Sequence, residues 1–242
     1  MLANAVVPTS PRDAEDPPLP RSLPRPAGLI FDLDGTLVDT VSARIAGWAE
    51  ALGEAGVPST AEQIAPMIGM DGRRLAKVVA QAAGRTLGDH EIEAVDKAAG
   101  EAFDQLNRDP RPLEGVGELL SVLDAAGIPW VIATSSRKEQ VTRSVAALGL
   151  ARPPKIVDGG HVKHAKPAPD LLLLAAKELA LGPAACWAVG DSTWDMRAAV
   201  AGGITGVGVT AGSAVSAQVL VEAGAALVVA TCRDLIAELR LA

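Results

Sequence analysis

The 242-residue chain has only two cysteines, Cys186 and Cys232, no basic stripe and no apolar run long enough to cross a bilayer. Two cysteines cannot build the disulfide framework of a small secreted domain, and both read as small apolar core fillers. Lysine and arginine number 22 against 29 acids, for a net charge of −7. The densest basic spot is Arg73-Arg74. Nucleic acid and anionic membrane are therefore not expected partners, since both need a basic surface. The start of the chain lacks a basic n-region followed by an apolar h-region, so no secretory signal is expected and the cytoplasm is the expected location. What is there is an acidic chain long enough for a sizeable core.

Seven of the 17 prolines fall within residues 1–27, where charges mix and no period shows. This stretch is expected to be a disordered leader outside the fold. From residue 28 onward, short apolar runs alternate with helical patterns, the signature of βα units on a parallel sheet. Strands are expected at 29–31, 130–133, 156–157, 186–189, 204–209 and 227–229, with helices at 115–126, 138–148, 169–181, 195–201 and 216–223. One stretch breaks the alternation. Helical periodicity without a clear strand runs over 42–55, 60–67, 73–83 and 89–107, punctuated by Pro58, Gly69, Gly72, Gly84 and Gly88. The expected fold class is α/β. A Rossmann-like parallel sheet forms the core (28–40 and 113–242), and an all-helical domain (41–112) is inserted over the carboxyl edge of the sheet.

Polar residues gather where the expected strands end. The first strand runs into Asp32-Leu33-Asp34-Gly35-Thr36. Side chains at i and i+2 share one face of a strand, so the two carboxylates converge and repel unless a cation sits between them. A hard cation such as Mg²⁺ takes oxygen ligands of this kind. Taken alone the segment is also an acidic turn, although its glycine is misplaced for an EF-hand loop. Thr134-Ser135-Ser136 offers hydroxyls and backbone N–H groups to an anion; by itself an ordinary N-cap is the better reading. Lys166-Pro167-Ala168-Pro169-Asp170 aims a lysine from a stiffened loop, a point charge for phosphate or simply a solvated side chain. Gly190-Asp191-Ser192-Thr193-Trp194-Asp195 sets two acids one helical turn apart, as a metal pair or as a cap with a first-turn acid.

In order and position these four segments resemble the motifs of the haloacid dehalogenase-like (HAD) hydrolase superfamily: DxDGT, a Ser/Thr after the second strand, KPxPD and GDSxxD. The resemblance implies Asp32 as a nucleophile that forms an aspartyl-phosphate. It implies Asp34 as acid for the leaving oxygen and then base for water, and Thr134 and Ser135 as holders of phosphoryl oxygens. Lys166 would neutralise charge on the nucleophile and phosphate. Mg²⁺ would be held by Asp32, the backbone carbonyl of Asp34 and Asp191, with Asp195 binding or orienting its shell. An acid at position 34 favours phosphoryl chemistry over dehalogenation.

The helical insertion resembles the cap of the phosphoglycolate phosphatase and β-phosphoglucomutase group, which implies closure over a small substrate. Mutases of that group often carry Glu-Asp where this chain has Gly190-Asp191, and lack an acid at position 195. The resulting expectation is a Mg²⁺-dependent phosphatase acting on a small phosphorylated metabolite, phosphoglycolate- or sugar-phosphate-like, as a monomer or weak homodimer. The alternatives are a phosphosugar mutase and a non-catalytic binding module. His161 and His164 are read as loop residues. Arg73 or Arg74 is a candidate contact for a second anionic group, or else part of a solvent-facing helix start.

Overall fold

In the computed structural model, which describes residues 23–136 and 138–240, six short strands build one parallel sheet. They are β1 (Gly28–Phe31), β2 (Trp130–Ala133), β3 (Ile156–Val157), β4 (Cys186–Gly190), β5 (Thr205–Val209) and β6 (Leu227–Val229). Their order across the sheet is β3-β2-β1-β4-β5-β6, so β1 pairs with β2 on one side and β4 on the other. All six lie where the apolar runs put them, to within a residue.

The sheet is covered on both faces, which explains why its strands read as unbroken apolar runs rather than alternating ones. Leu29, Phe31 and Leu33 face one apolar cluster with α5 (Val116–Ala125), α6 (Lys138–Ala147) and α10 (Cys232–Glu238). Ile30 faces a second cluster, shared with α7 (Asp170–Glu178) and α8 (Thr193–Ala201). Leu29, Ile30 and Phe31 are each 0% exposed, and burying such a side chain contributes about 1.5–3 kcal/mol. Cys186 and Cys232 fall in different clusters, both buried and free, as core fillers should be.

Two expectations change. Helix α9 (Ala217–Glu222) forms within the expected 216–223, but no helix is expected at α10, although Thr231 and Asp234 form a reciprocal capping box at its start. The leader also ends earlier than position 27. Residues 1–22 lie outside the described residues, but Leu23 packs on the α5–α10 cluster, Pro26 is buried, and the Ala27 N–H donates to Ala185 O at 2.7 Å.

Between β1 and β2 stand α1 (Val41–Glu54), α2 (Ala61–Ile64) with a 3₁₀ turn at Ala65–Met67, α3 (Gly72–Ala82) and α4 (Asp89–Leu106). Trp48, Leu52, Ile64, Leu75 and Ile92 anchor an apolar cluster of the insertion's own. A Cβ at Gly47 would lie 2.9 Å from Phe103 N, so glycine there lets α1 and α4 approach closely. The insertion's two connections run side by side, with Asp39 N–H donating to Arg111 O at 2.9 Å and Leu113 N–H to Leu37 O at 3.0 Å. From the core, Trp194 on α8 enters the insertion's cluster and donates its indole N–H to Pro66 O at 3.1 Å. Among the described residues, no helix is long and apolar enough to cross a membrane.

Candidate active site

Strand order reverses between β1 and β4, and in an open α/β sheet the crevice outside the carboxyl ends at such a point is where ligands bind. Asp32 leaves β1 there, its N–H still bonded to Val189 O of β4 at 2.9 Å. Asp191 leaves β4 beside it, and Thr134 leaves β2 with its N–H on Val157 O at 3.0 Å. Lys166 reaches the same point from the loop before α7. Its ammonium lies 2.6 Å from Asp32 Oδ1 and 2.6 Å from Asp195 Oδ1, and its side chain is 1% exposed. Carboxylate oxygens of Asp32, Asp191 and Asp195 lie within 4.8 Å of one another. Thr36 donates to Asp191 Oδ1 at 3.0 Å.

Three buried carboxylates thus face one ammonium. Burial pushes the Asp32 carboxyl up to about 7, with Lys166 opposing and the Asp195 and Asp34 charges adding to the rise. Burial, then the charges of Asp195 and Asp32, raise Asp191 well above the ordinary carboxylate range, against Thr36 and Lys166. Burial alone would discharge Lys166, but Asp195 and Asp32 hold its ammonium above the usual lysine range. The cluster therefore carries more negative charge than its own cation offsets. Its donors are hard oxygens, which fit Mg²⁺.

This imbalance sets a pH dependence. A buried acid with a raised folded value binds its proton more tightly when folded, so its contribution to stability falls as pH rises. Asp32 alone covers the window from 3.8 to about 7. Without divalent cation, stability is expected to drop on the order of a few kcal/mol between about pH 5 and about pH 8, and Mg²⁺ is expected to restore it. Chemical denaturation across that range, with and without Mg²⁺, checks both; a flat profile would contradict the charge imbalance.

Asp34 stands apart from this cluster. Two residues of extended chain span about 6.6 Å, so sharing a face with Asp32 does not mean sharing its site. Arg44 pairs with the Asp34 carboxylate, while the Asp34 charge still adds to the rise at Asp32. Asp34 Oδ2 accepts from Arg44 at 2.7 Å and Ser136 Oγ at 2.8 Å, and Oδ1 accepts from Thr40 Oγ1 at 2.8 Å. Burial would raise its carboxyl, but the Arg44 charge and the bonds from Ser136, Thr40 and Arg44 outweigh it and hold the group below its ordinary value.

Above these groups lies a cavity of about 440 Å³. Asp32, Asp34, Asp191 and the 134–136 loop form its core side, and α1, α4, residues 68–72 and Leu75 form the other, with Trp48 and Met70 among the apolar lining. Ser135 Oγ lies 3.4 Å from Gly69 O, and a Cβ on Gly69 (φ +92°) would come within 2.6 Å of Ser192 Oγ.

A family model described as haloacid dehalogenase-like hydrolase matches residues 29–209. The chain belongs to that family. A fructose-1-phosphate phosphatase, YqaB of Escherichia coli (strain K12), is 30% identical over 186 residues, covering 76% of this chain and 97% of that protein. A phosphoglycolate phosphatase of Shigella boydii serotype 4 (strain Sb227) is 31% identical over 206 residues, covering 76% of this chain and 81% of its own length. Among solved structures, a hydrolase from Pseudomonas syringae matches with a TM-score of 0.83 and 36% identity, over 87% of this chain and 96% of that one.

In this HAD hydrolase Asp32, Asp34, Thr134, Ser135 and Asp191 line the cavity, whereas Lys166 and Asp195 are buried behind Asp32 and outside the lining. Both oxygens of Asp195 are engaged, Oδ1 by Lys166 and Oδ2 by the Ser192 N–H at 3.1 Å and Ser192 Oγ at 2.5 Å. Thr134 Oγ1 accepts the Ser136 N–H at 3.1 Å. Glycine at 190 is what admits Asp195, because a Cβ there would lie 2.5 Å from the Asp195 Cβ. Arg73 and Arg74 do not line the cavity; Arg73 pairs with Glu93 at 3.9 Å, and Arg74 lies over the Trp194 ring at 5.6 Å. His164 is a loop residue beside Asp170, as expected, whereas His161 ends a 3₁₀ turn (Gly159–His161) beside Asp158.

Sequence reasoning passed over Arg44, Ser136 and Trp194 as site residues. Ser136 stands inside Thr134-Ser135-Ser136 and Trp194 inside the 190–195 motif, but nothing local marks Arg44 as a partner of Asp34.

Proposed function

We propose that this phosphatase hydrolyses a small phosphate monoester, sugar-phosphate- or phosphoglycolate-like, in two steps through a phosphorylated Asp32. The observation that carries the reading is Lys166, buried at 2.6 Å from Asp32, which itself lines the cavity between core and insertion. A fixed ammonium on the nucleophile can also hold an arriving phosphate. Phosphoryl transfer asks chiefly for positioning and charge neutralisation, and this cluster is arranged for both.

In the first step an Asp32 oxygen attacks phosphorus in line with the ester bond. The Asp32 O–P bond forms as the ester P–O bond breaks, and the leaving oxygen takes a proton from Asp34. In the second, water attacks the same phosphorus, the Asp32 O–P bond breaks, and the water proton passes to Asp34. Thr134, Ser135 and Lys166 hold the phosphoryl oxygens. Mg²⁺, held by Asp32, Asp191 and the Asp34 carbonyl, would supply further neutralisation of phosphoryl charge. Asp195 fixes Lys166 for both steps.

Position 190 favours the hydrolase over the mutase. Mutases that carry Glu there lack an acid at 195, and the 2.5 Å approach of a residue-190 Cβ to Asp195 gives that pairing a steric reason. A screen is expected to find Mg²⁺-dependent release of inorganic phosphate from a sugar phosphate or phosphoglycolate. Beryllium fluoride, as a stand-in for the phosphoryl group on Asp32, is expected to block it. Isomer formation primed by a bisphosphate, without phosphate release, would favour the mutase instead; inertness towards every ester would favour a binding module.

A further inference from the structure

Arg44 has no task in the two steps above, yet its head group is tightly placed. It lies on α1 of the insertion, with its guanidinium carbon 3.6 Å over the Phe103 ring of α4 and its side chain 12% exposed. Stacking of that kind fixes the plane of the fork. Nη2 donates to Asp34 Oδ2 at 2.7 Å and to Ser136 Oγ at 2.6 Å. Because the Ser136 oxygen accepts from Arg44, its own proton is free to turn to Asp34, 2.8 Å away.

The polarity of these bonds is informative. Arg44 can only donate, so it sets the direction of the Ser136 hydroxyl, and Thr40 donates to the other Asp34 oxygen. Arg44, Ser136 and Thr40 therefore all face the carboxylate as donors, leaving its remaining lone pairs to accept. Three donors on its two oxygens fix the plane of the carboxylate, and so the direction of the lone pairs left open, although the same bonds lower its affinity for a proton. In the reaction proposed here, Asp34 receives one when water attacks the phosphorylated Asp32.

We propose that Arg44 is a positioning residue for this second step, clamping Asp34 with Ser136 in the orientation from which it takes the proton of the attacking water. Water oxygen bonds to phosphorus, the Asp32 O–P bond breaks, one water proton passes to Asp34, and inorganic phosphate leaves. The inference rests on the phosphatase reading and on Asp34 as proton carrier. It also ties water activation to the insertion, since the clamp comes from α1.

p-Nitrophenyl phosphate separates the steps. Its phenolate leaves without a proton, and kcat/KM ends with that departure, whereas kcat includes the hydrolysis of phosphorylated Asp32. For Arg44→Gln, kcat is expected to fall about tenfold or more, with a much smaller fall in kcat/KM. A burst of one nitrophenolate per enzyme is expected before the slow steady state, together with trapped phosphoenzyme by mass. Arg44→Lys should regain part of kcat, and Ser136→Ala should add little to Arg44→Gln. A raised KM, or a parallel loss in kcat and kcat/KM without a burst, would overturn the proposal and leave Arg44 as a substrate ligand or a packing residue. Absence of turnover in the unaltered protein would instead refute the phosphatase reading.

Discussion

Asp32→Asn is expected to lower phosphate release by about 10⁴-fold or more, the scale of removing a nucleophile, while the protein stays folded. The amide keeps the size and the hydrogen-bonding reach of the carboxylate but cannot attack phosphorus. It also removes one of the mutually repelling charges from a buried cluster, so the melting temperature in the absence of Mg²⁺ is expected to hold or rise. Phosphate release and a thermal melt on the same preparation check both halves. Activity near that of the unaltered protein would remove Asp32 from the chemistry; collapse of the fold would assign it a structural role instead.

The second large effect is on Lys166. Its ammonium is the cation that Asp32 and Asp195 share, each at 2.6 Å. Lys166→Met fits the space with an apolar chain and leaves these carboxylates without it. Removing one partner of a buried ion pair typically costs about 3–5 kcal/mol, and the loss is expected to shrink at lower pH, where the acids can take protons. Adding Asp195→Asn to Lys166→Met should cost less than the sum of the two single changes, because the amide removes a charge that had lost its partner. Denaturant midpoints for the four proteins test this. Additive effects would mean that the short contacts contribute little coupling.

The parts of the fold that were legible in the sequence are those governed by local pattern. Strands buried on both faces must be apolar throughout, so β1, β2 and β4 announced themselves, and the helical period of 41–112 separated the insertion from the sheet. Helix α10 has no counterpart in the sequence reading, although its Thr231–Asp234 capping box was an available signal; shortness is not the reason, since the six-residue helix at Ala217–Glu222 was legible. At the site, Asp32, Lys166 and Asp191 were legible because each sits in a short motif at a strand end. Arg44 was not. A salt bridge that closes only when a helix of one unit lies over a loop of another leaves no spacing rule behind. The motif also did not separate Asp32 from Asp34, since a rule about faces carries no information about depth.

Trp194 carries a practical consequence for redesign. Its indole sits in the insertion's apolar cluster and holds Pro66, although it belongs to the first turn of α8, beside Asp195 and just after Asp191. Anyone grafting a different insertion onto this scaffold to alter its substrate will find that the seam does not follow the covalent connections at 39 and 111. The segment around 64–69 has to travel with a tryptophan, or a substitute of like shape, at position 194. A donor chosen for its cavity alone would leave that indole facing water and unsettle the acids beside it.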